Sequence, residues 1–228
     1  MLTHRLKALN VCLTIMLCGF ISPMVSAETT IDAKQKAEAN TFLTETSNKN
    51  DPDLVQALQQ ATHDTQDNTI DLDYLVWLAD MSEKITKRVP NAFYRIRLLE
   101  TVHQEAKAQG LDPLLVLAVM DVESNFNRYA ESFVGAQGLM QVMPFWKKEY
   151  GHPDDDLFNP KVNIRYGCKI LRHYLDRYKK PVKALAAYNG SIGKSKYPDK
   201  VYRRIANQWN FKEDTYSRKT ENEVVLVK

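Results

Sequence analysis

Cysteine is scarce in this chain, with three among 228 residues. Two of them, Cys12 and Cys18, lie in residues 1–27, which are typical of an export signal: a basic start, an apolar core and a small-residue cleavage site ending at Ala27. A mature chain beginning at Glu28 would retain only Cys168, so we expect no intrachain disulfide. Cys168 lies in a helical pattern of apolar residues, which favours a small buried side chain over a reactive thiol.

Long apolar runs are also missing. The apolar core of the leader, VCLTIMLCGFI, has about a dozen residues, whereas a membrane-spanning helix needs roughly 20. We therefore favour a cleaved signal peptide over a retained anchor and expect a periplasmic protein, either free or associated with the cell wall or membrane surface. Neither leader cysteine follows the small residue of a lipoprotein cleavage site, so we expect no lipid anchor there.

Metal-ligand patterns are absent as well, because the five histidines show neither a paired helical spacing nor a cysteine cluster. We expect no metal and no cofactor. Charge is divided along the chain: residues 28–80 carry 11 acidic and 3 basic residues, whereas residues 81–228 carry 26 basic and 17 acidic residues. A basic body suits a polyanionic partner, but no nucleic-acid-binding motif is present, so we expect no nucleic acid to bind.

The chain divides into four parts. After the leader, residues 28–70 are acidic, polar and poor in aromatics, which predicts a loosely ordered or peripheral segment with short helices around 33–43 and 53–63. Residues 71–210 form the predicted folded domain, because apolar side chains from Leu72 onward follow helical spacing. Residues 211–228 form a polar tail.

Local signals place further helices within the domain. Asn91 can cap a helix that ends near Gly110, and the pairs Asp112-Pro113 and Asn159-Pro160 each combine an N-cap with proline at the first helical position. Short helices are predicted over 181–188 and 200–209, and only residues 131–142 are typical of a loop or short strand. The sequence therefore predicts a mainly α fold with at most a small β-like loop region.

Glu123 lies at the end of the apolar helix that begins at Pro113. Apolar neighbours, the negative end of the helix dipole and the absence of lysine or arginine from the four preceding residues should all favour its neutral form. A neutral carboxylic acid near pH 7 suits general-acid catalysis, although a surface glutamate at a helix end is the simpler interpretation of the residue alone. Asp121 is turned by about 200° from Glu123, so we do not expect a second catalytic group there.

Four segments in order, ESNFN, GAQGLMQVMP, LFNPKVNIRYGCKILRHYL and AAYNGS, resemble the catalytic domain of soluble lytic transglycosylases. These are lysozyme-like enzymes that cleave bacterial peptidoglycan. The resemblance covers residues 92–209 and implies a lysozyme-like α+β fold with Glu123 as the sole catalytic acid and base. It also implies substrate-binding roles for Ser124, Ser132, Gln141, Met143, Tyr188 and Asn189. Many members have YNAGPG where this chain has YNGSIG, so the loop after Asn189 departs from the family pattern.

No Asp or Glu occurs in residues 132–148, the loop expected to face Glu123. A two-carboxylate hydrolase needs a second carboxylate about 5 to 10 Å from the acid. In the resembling family, one glutamate protonates the glycosidic oxygen and then takes a proton from the C6 hydroxyl, which gives a 1,6-anhydro product without water.

The expected function is therefore a lytic transglycosylase that cleaves the MurNAc-β-1,4-GlcNAc bond of peptidoglycan glycan strands and acts as a monomer. A hydrolytic muramidase is one alternative. The other is an inactive wall-binding accessory protein attached to an envelope machine, whose identity the sequence does not indicate.

Overall fold

The computed structural model describes residues 51–63 and 72–209, together with four single positions at 37, 39, 41 and 43. The predicted signal peptide and the polar tail at 211–228 lie outside the described residues. The four single positions are helical and fall within the helix predicted at 33–43. The other residues of that predicted helix lie outside the described residues. The described helices are α1 (Pro52–His63), α2 (Leu72–Ile85), α3 (Ala92–Ala108), α4 (Pro113–Ser124), α5 (Lys147–Tyr150), α6 (Pro160–Tyr178), α7 (Pro181–Tyr188) and α8 (Lys196–Asn207), with a 3-10 turn at Pro144–Trp146.

Three helices begin where the sequence predicts, because a side chain accepts the first free backbone N–H groups in each case. Asn91 accepts a hydrogen bond from the Tyr94 N–H of α3 at 2.8 Å. Asp112 accepts from the Leu114 N–H of α4 at 2.8 Å, and Asn159 accepts from Lys161 of α6 at 3.0 Å. These capping predictions are confirmed.

The apolar helix α4 lies at the centre of the domain. Its residues 116–120 are fully buried, and the helix packs against α3 on one side and α8 on another. Helix α6 packs against α3 and α7, with Ile164, Cys168 and Leu171 fully buried along one face. Burial raises the pKa of the Cys168 thiol, as expected for a core side chain rather than a nucleophile.

Helix α1 falls within the segment for which the sequence predicts loose order. In the structure, residues 52–63 are instead packed against α3 and α2, with four apolar side chains buried: Leu54, Ala57, Leu58 and Ala61. These positions have the i, i+3, i+4, i+7 spacing of a core-facing helix. At the start of α1, Asp51 Oδ2 lies 3.5 Å from Nη2 of the buried Arg95 in α3. The expectation of a peripheral segment is therefore wrong for these twelve residues.

The predicted fold class is confirmed, since helices dominate the described residues and β pairing there is limited to two isolated bridges. Gln137 pairs with Glu131 and with Val142, which makes a small β-like loop. The last helix begins at Lys196, four residues before the predicted start. Pro198 is tolerated in its first turn because an N–H at that position would lack a helical partner anyway. Across the described part of the chain, no helix combines the length and apolar character needed to cross a membrane.

Candidate active site

The backbone just after Glu123 has an unusual conformation. Helix α4 ends at Ser124, and the next two residues, Asn125 and Phe126, have φ angles of 51° and 65°. Positive φ is costly for a phenylalanine, and such strain persists only where the surroundings hold it. Phe126 is buried, and its ring lies 5.6 Å from that of Trp209 at the end of the described chain. This packing fixes the turn, and therefore the end of α4 that carries Glu123.

Glu123 lines a pocket of about 260 Å³, which is formed by the end of α4, the loop after α7 and the start of α8. The lining residues are Val122, Glu123, Asn189, Ser191, Lys194, Lys196, Tyr197 and Lys200. Glu123 supplies the only carboxyl group among them. Among the described residues, the pocket lining thus contains no second carboxyl group.

Burial raises the pKa of Glu123 to about 7. Two groups act in the opposite direction: the Tyr197 hydroxyl donates a hydrogen bond to Glu123 Oε1 at 2.6 Å, and the positive charge of Lys200 favours the carboxylate. Burial outweighs both because desolvation disfavours the charged form of a carboxyl group. Near neutral pH both protonation states of Glu123 are therefore populated, which suits a group that must donate and then accept a proton.

Tyr197, Lys194, Lys196 and Lys200 were not among the residues expected at the site. No local motif marks Tyr197, which reaches Glu123 from 74 residues away along the chain. Burial and the charge of Glu123 raise the pKa of Tyr197 well above its usual value, so its hydroxyl remains a donor. The three lysines do have a sequence signal, since they cluster in GKSKYPDK, which begins two residues after the YNGS segment.

Ser124 and Tyr188 hold the loop at 131–142 against the helices. Ser124 Oγ donates to the Leu139 carbonyl at 2.7 Å, and the Tyr188 hydroxyl donates to the next carbonyl, that of Met140, at 2.8 Å. Burial, followed by the charge of Glu123, raises the pKa of Tyr188 well above its usual value. These two predicted site residues thus anchor adjacent points of the loop to α4 and α7.

A buried asparagine anchors the same loop from α6. The Asn163 amide donates to the Gln137 and Leu157 carbonyls at 2.8 and 2.7 Å, and its oxygen accepts from the Met140 N–H at 2.7 Å. Gly138 has a φ of 77°, and a Cβ there would overlap the Asn163 amide and the Leu157 carbonyl. Sequence reasoning missed Asn163, although it lies in one of the four family-like segments.

Of the other predicted residues, Asn189 lines the pocket, whereas Ser132, Gln141 and Met143 are not part of its lining. Ser132 Oγ accepts from the Ala136 N–H at 2.9 Å within the loop, and Gln141 Nε2 donates to the Ala130 and Gly138 carbonyls, both at 3.0 Å. Met143 immediately precedes the 3-10 turn and is half-buried. Ser132 and Gln141 therefore shape the loop through their own hydrogen bonds.

Asp121 is buried on a different face of α4. Its Oδ1 lies 2.9 Å from Arg88 Nη1, which follows α2, and 3.7 Å from Arg204 Nε of α8. The Arg88 guanidinium also lies over the rings of Phe126 and Trp209, at 5.2 and 5.9 Å. Asp121 is absent from the pocket lining, in agreement with the expectation that it is not a second catalytic group.

Comparison with known proteins gives one family match, the transglycosylase SLT domain, over residues 100–210. The transglycosylase of Enterobacteria phage PRD1 is 38% identical over 113 residues, which are 46% of this chain and 42% of the phage protein. The membrane-bound lytic murein transglycosylase C of Glaesserella parasuis is 39% identical over 114 residues, 42% of this chain and 31% of that protein. This chain thus spans less than half the length of these curated relatives. A structure of an inactive mutant of lytic transglycosylase Slt from Pseudomonas aeruginosa aligns with 63% of this chain and 24% of its own, at 28% identity and a TM-score of 0.39.

Proposed function

Since residues 100–210 match the transglycosylase SLT domain, we propose that the chain is a member of that family and a peptidoglycan lytic transglycosylase. The proposed reaction cleaves the MurNAc-β-1,4-GlcNAc bond and closes a 1,6-anhydro ring on the muramic acid. The observation that carries this proposal is Glu123, a carboxyl group with a pKa of about 7 that has no carboxylate partner in its pocket.

One glutamate can serve both steps of this reaction. Protonated Glu123 donates its proton to the glycosidic oxygen, the bond from that oxygen to C1 of muramic acid breaks, and GlcNAc leaves with a free hydroxyl. The resulting carboxylate then takes the proton from the C6 hydroxyl while O6 bonds to C1. The carboxylic acid is regenerated and no water is consumed, so no second carboxylate is required.

Tyr197 and Lys200 support the intermediate state of Glu123. When the proton leaves, the Tyr197 hydroxyl already donates to Oε1, and a hydrogen bond to a charged acceptor is stronger than one to a neutral acceptor. Lys200 adds a nearby positive charge. Both groups offset the cost of forming a carboxylate in a partly buried pocket.

The remaining site residues have proposed roles in shaping the cleft and holding the sugar. Asn189 lies in the pocket beside Glu123, where its amide can contact the reacting sugar. The loop at 131–142 is held in place by hydrogen bonds of Ser124, Ser132, Gln141 and Tyr188. Met143 directly follows this loop. We assign the catalytic unit to residues 72–209, with α1 packed on it as a supporting helix.

The site of action is proposed to be the cell envelope. The leader at 1–27 has the features of an export signal. The relative from Glaesserella parasuis is named as membrane-bound and as acting on murein, which supports the same location. The peptidoglycan glycan strand is the proposed partner, and the chain is proposed to act as a monomer.

The test is the Glu123→Gln variant on purified sacculi, with products analysed by mass spectrometry. The unmodified chain should release 1,6-anhydro products, and the variant should bind sacculi but release none. Products heavier by one water molecule would identify a hydrolase instead. Full turnover by the variant would contradict the assignment of Glu123, and binding without turnover by the unmodified chain would indicate an inactive wall-binding protein.

A further inference from the structure

Three lysines form one wall of the pocket that contains Glu123. Lys194 lies in the loop before α8, and Lys196 and Lys200 lie on its first two turns; all three are exposed and line the pocket. Among the described residues, none of them forms an ion pair with a carboxylate. Asp199, the acidic residue of the first turn, is exposed and is not part of the lining. We refer to Lys194, Lys196 and Lys200 as the lysine wall.

The acid-base chemistry proposed for Glu123 gives a role to Lys200 but to neither of the other two residues of the lysine wall. A general acid must keep its proton near neutral pH, and a nearby cation favours loss of that proton. Lys200 has this opposing effect on Glu123, because its positive charge favours the carboxylate. Lys194 and Lys196 line the same pocket, and the proposed acid-base chemistry assigns no role to either of them.

We propose that the lysine wall binds carboxylate groups carried by the C3 substituent of the muramic acid unit being cleaved. This inference rests on the proposed function, because it takes peptidoglycan as the substrate. Glu123 would act at the C1 oxygen and the C6 hydroxyl of that unit, so its C3 substituent must lie within the same region of the cleft. A cluster of cations beside the reacting sugar is complementary to an anionic substituent.

Lysine rather than arginine suits such a substituent. A lysine ammonium is a strongly hydrated point charge on a flexible stem, and it can follow a carboxylate whose position varies. The first turn of α8 adds the positive end of a helix dipole to the same wall. Lys194 itself lies in the loop after Asn189, where this chain has YNGSIG in place of the YNAGPG of many family members.

Two sources could supply the carboxylate. On an intact strand the lactyl group is amidated and the carboxylates belong to the stem peptide. On a strand from which an amidase has removed the peptides, the lactyl carboxylate itself is free. The two strand types distinguish these sources, because each presents its carboxylates at a different distance from the sugar.

The experiment measures binding of the full chain carrying Glu123→Gln, so that titration of Glu123 cannot affect the result. The test variant adds Lys194→Gln, Lys196→Gln and Lys200→Gln, and binding to soluble intact and amidase-treated strands is measured at low and high salt. The matched control adds Lys87→Gln, Lys107→Gln and Lys161→Gln, which remove the same charge from exposed sites outside the pocket. Thermal unfolding checks that all variants are folded.

We expect the test variant to lose about tenfold in affinity at low salt, since each exposed charge pair contributes modestly, and the control to lose about twofold or less. Loss on intact strands alone identifies the stem peptide as the source, and loss on denuded strands alone identifies the lactyl group. Equal small losses in test and control variants on both strands would overturn the inference. Anhydro-product formation by the unmodified chain is measured in parallel, so failure of the proposed function would be seen separately.

Discussion

The Tyr197 hydroxyl donates a hydrogen bond of 2.6 Å to Glu123 Oε1 and joins the start of α8 to the end of α4. Glu123 is thus held from a helix that is remote in sequence, in a pocket where burial raises its pKa to about 7. The same hydroxyl favours the carboxylate that forms when the proton is donated. The contact therefore holds Glu123 in position and stabilises the carboxylate form in which it acts as a base.

Replacing Tyr197 with Phe should reduce kcat by about tenfold to a hundredfold, because a hydrogen bond to a charged group contributes on the order of 2 kcal/mol. The pKa of Glu123 should rise, since the lost hydrogen bond lowers it, and the alkaline limb of the rate profile should move to higher pH. Steady-state kinetics from pH 5 to about 9 checks both effects.

The matched control for this variant is Tyr202→Phe on the same helix. The Tyr202 hydroxyl is buried and makes no hydrogen bond to other described residues. Its removal should leave kcat and the pH profile unchanged and should not destabilise the fold. A similar loss of kcat in both variants would mean that the Tyr197 effect reflects packing of α8 rather than its bond to Glu123.

The pH dependence of the reaction should follow Glu123. Because the protonated form acts first, kcat/KM should be high below pH 7 and should fall about tenfold per pH unit well above it. A profile that stays flat to about pH 9 would show that another group supplies the proton.

Glu123 should also make folding stability depend on pH. Its folded pKa of about 7 exceeds the ordinary value of 4.5, so ionisation opposes folding as pH rises through this interval. This cost is absent below about pH 4.5 and reaches its full value, on the order of 3 kcal/mol, above about pH 7. Glu123→Gln should therefore increase the free energy of unfolding at pH 8 but change it little at pH 4. Urea unfolding at both pH values checks this, and equal effects at both would contradict it.

Asn163→Ala should destabilise the fold by about 3 kcal/mol, because it leaves one N–H and two carbonyl groups without their partner in a buried site. Activity should fall as well, since the loop at 131–142 loses its anchor on α6. Asn127→Ala is the control, because its side chain accepts one hydrogen bond at an exposed position and should cost less than about 1 kcal/mol. Similar stability of the two variants, measured by urea unfolding, would contradict the anchoring role.

Asp121→Asn should destabilise the fold by on the order of 2 kcal/mol, because Arg88 and Arg204 lose a buried counter-charge. Since Arg204 lies on α8 with Tyr197, kcat should also fall. Asp176→Asn removes an exposed carboxylate paired with Arg172 on α6 and should leave both stability and kcat unchanged. Thermal unfolding and steady-state kinetics separate these outcomes, and unchanged behaviour of both variants would show that the Asp121 cluster is dispensable.

Local signals predicted much of the fold. The caps at Asn91, Asp112 and Asn159 were predictable because a helix start depends on a few adjacent residues. The early start of α8 was missed because Ser195 makes no side-chain cap and Pro198 interrupts the pattern. The packed position of α1 was missed because its polar composition outweighed four correctly spaced apolar residues.

The residues of the site likewise include some that the sequence predicts and some that it does not. Glu123 could be selected from its helix and from the motif around it, and its position in a pocket without another carboxyl group agrees with that selection. Tyr197 could not be selected, because its contact with Glu123 exists only once α8 has packed against α4. Asn163 is similar, since its three partners come from separate parts of two loops.

The position of α1 and α2 has a practical consequence for fragments of this protein. The family match begins at residue 100, in the middle of α3. A recombinant fragment starting there would lack both helices and the first half of α3, and would expose buried apolar side chains of the remaining half, such as Val102 and Ala106. Such surfaces promote aggregation, so a fragment that begins before Asp51 should be recovered in soluble form more readily than one cut at the edge of the motif.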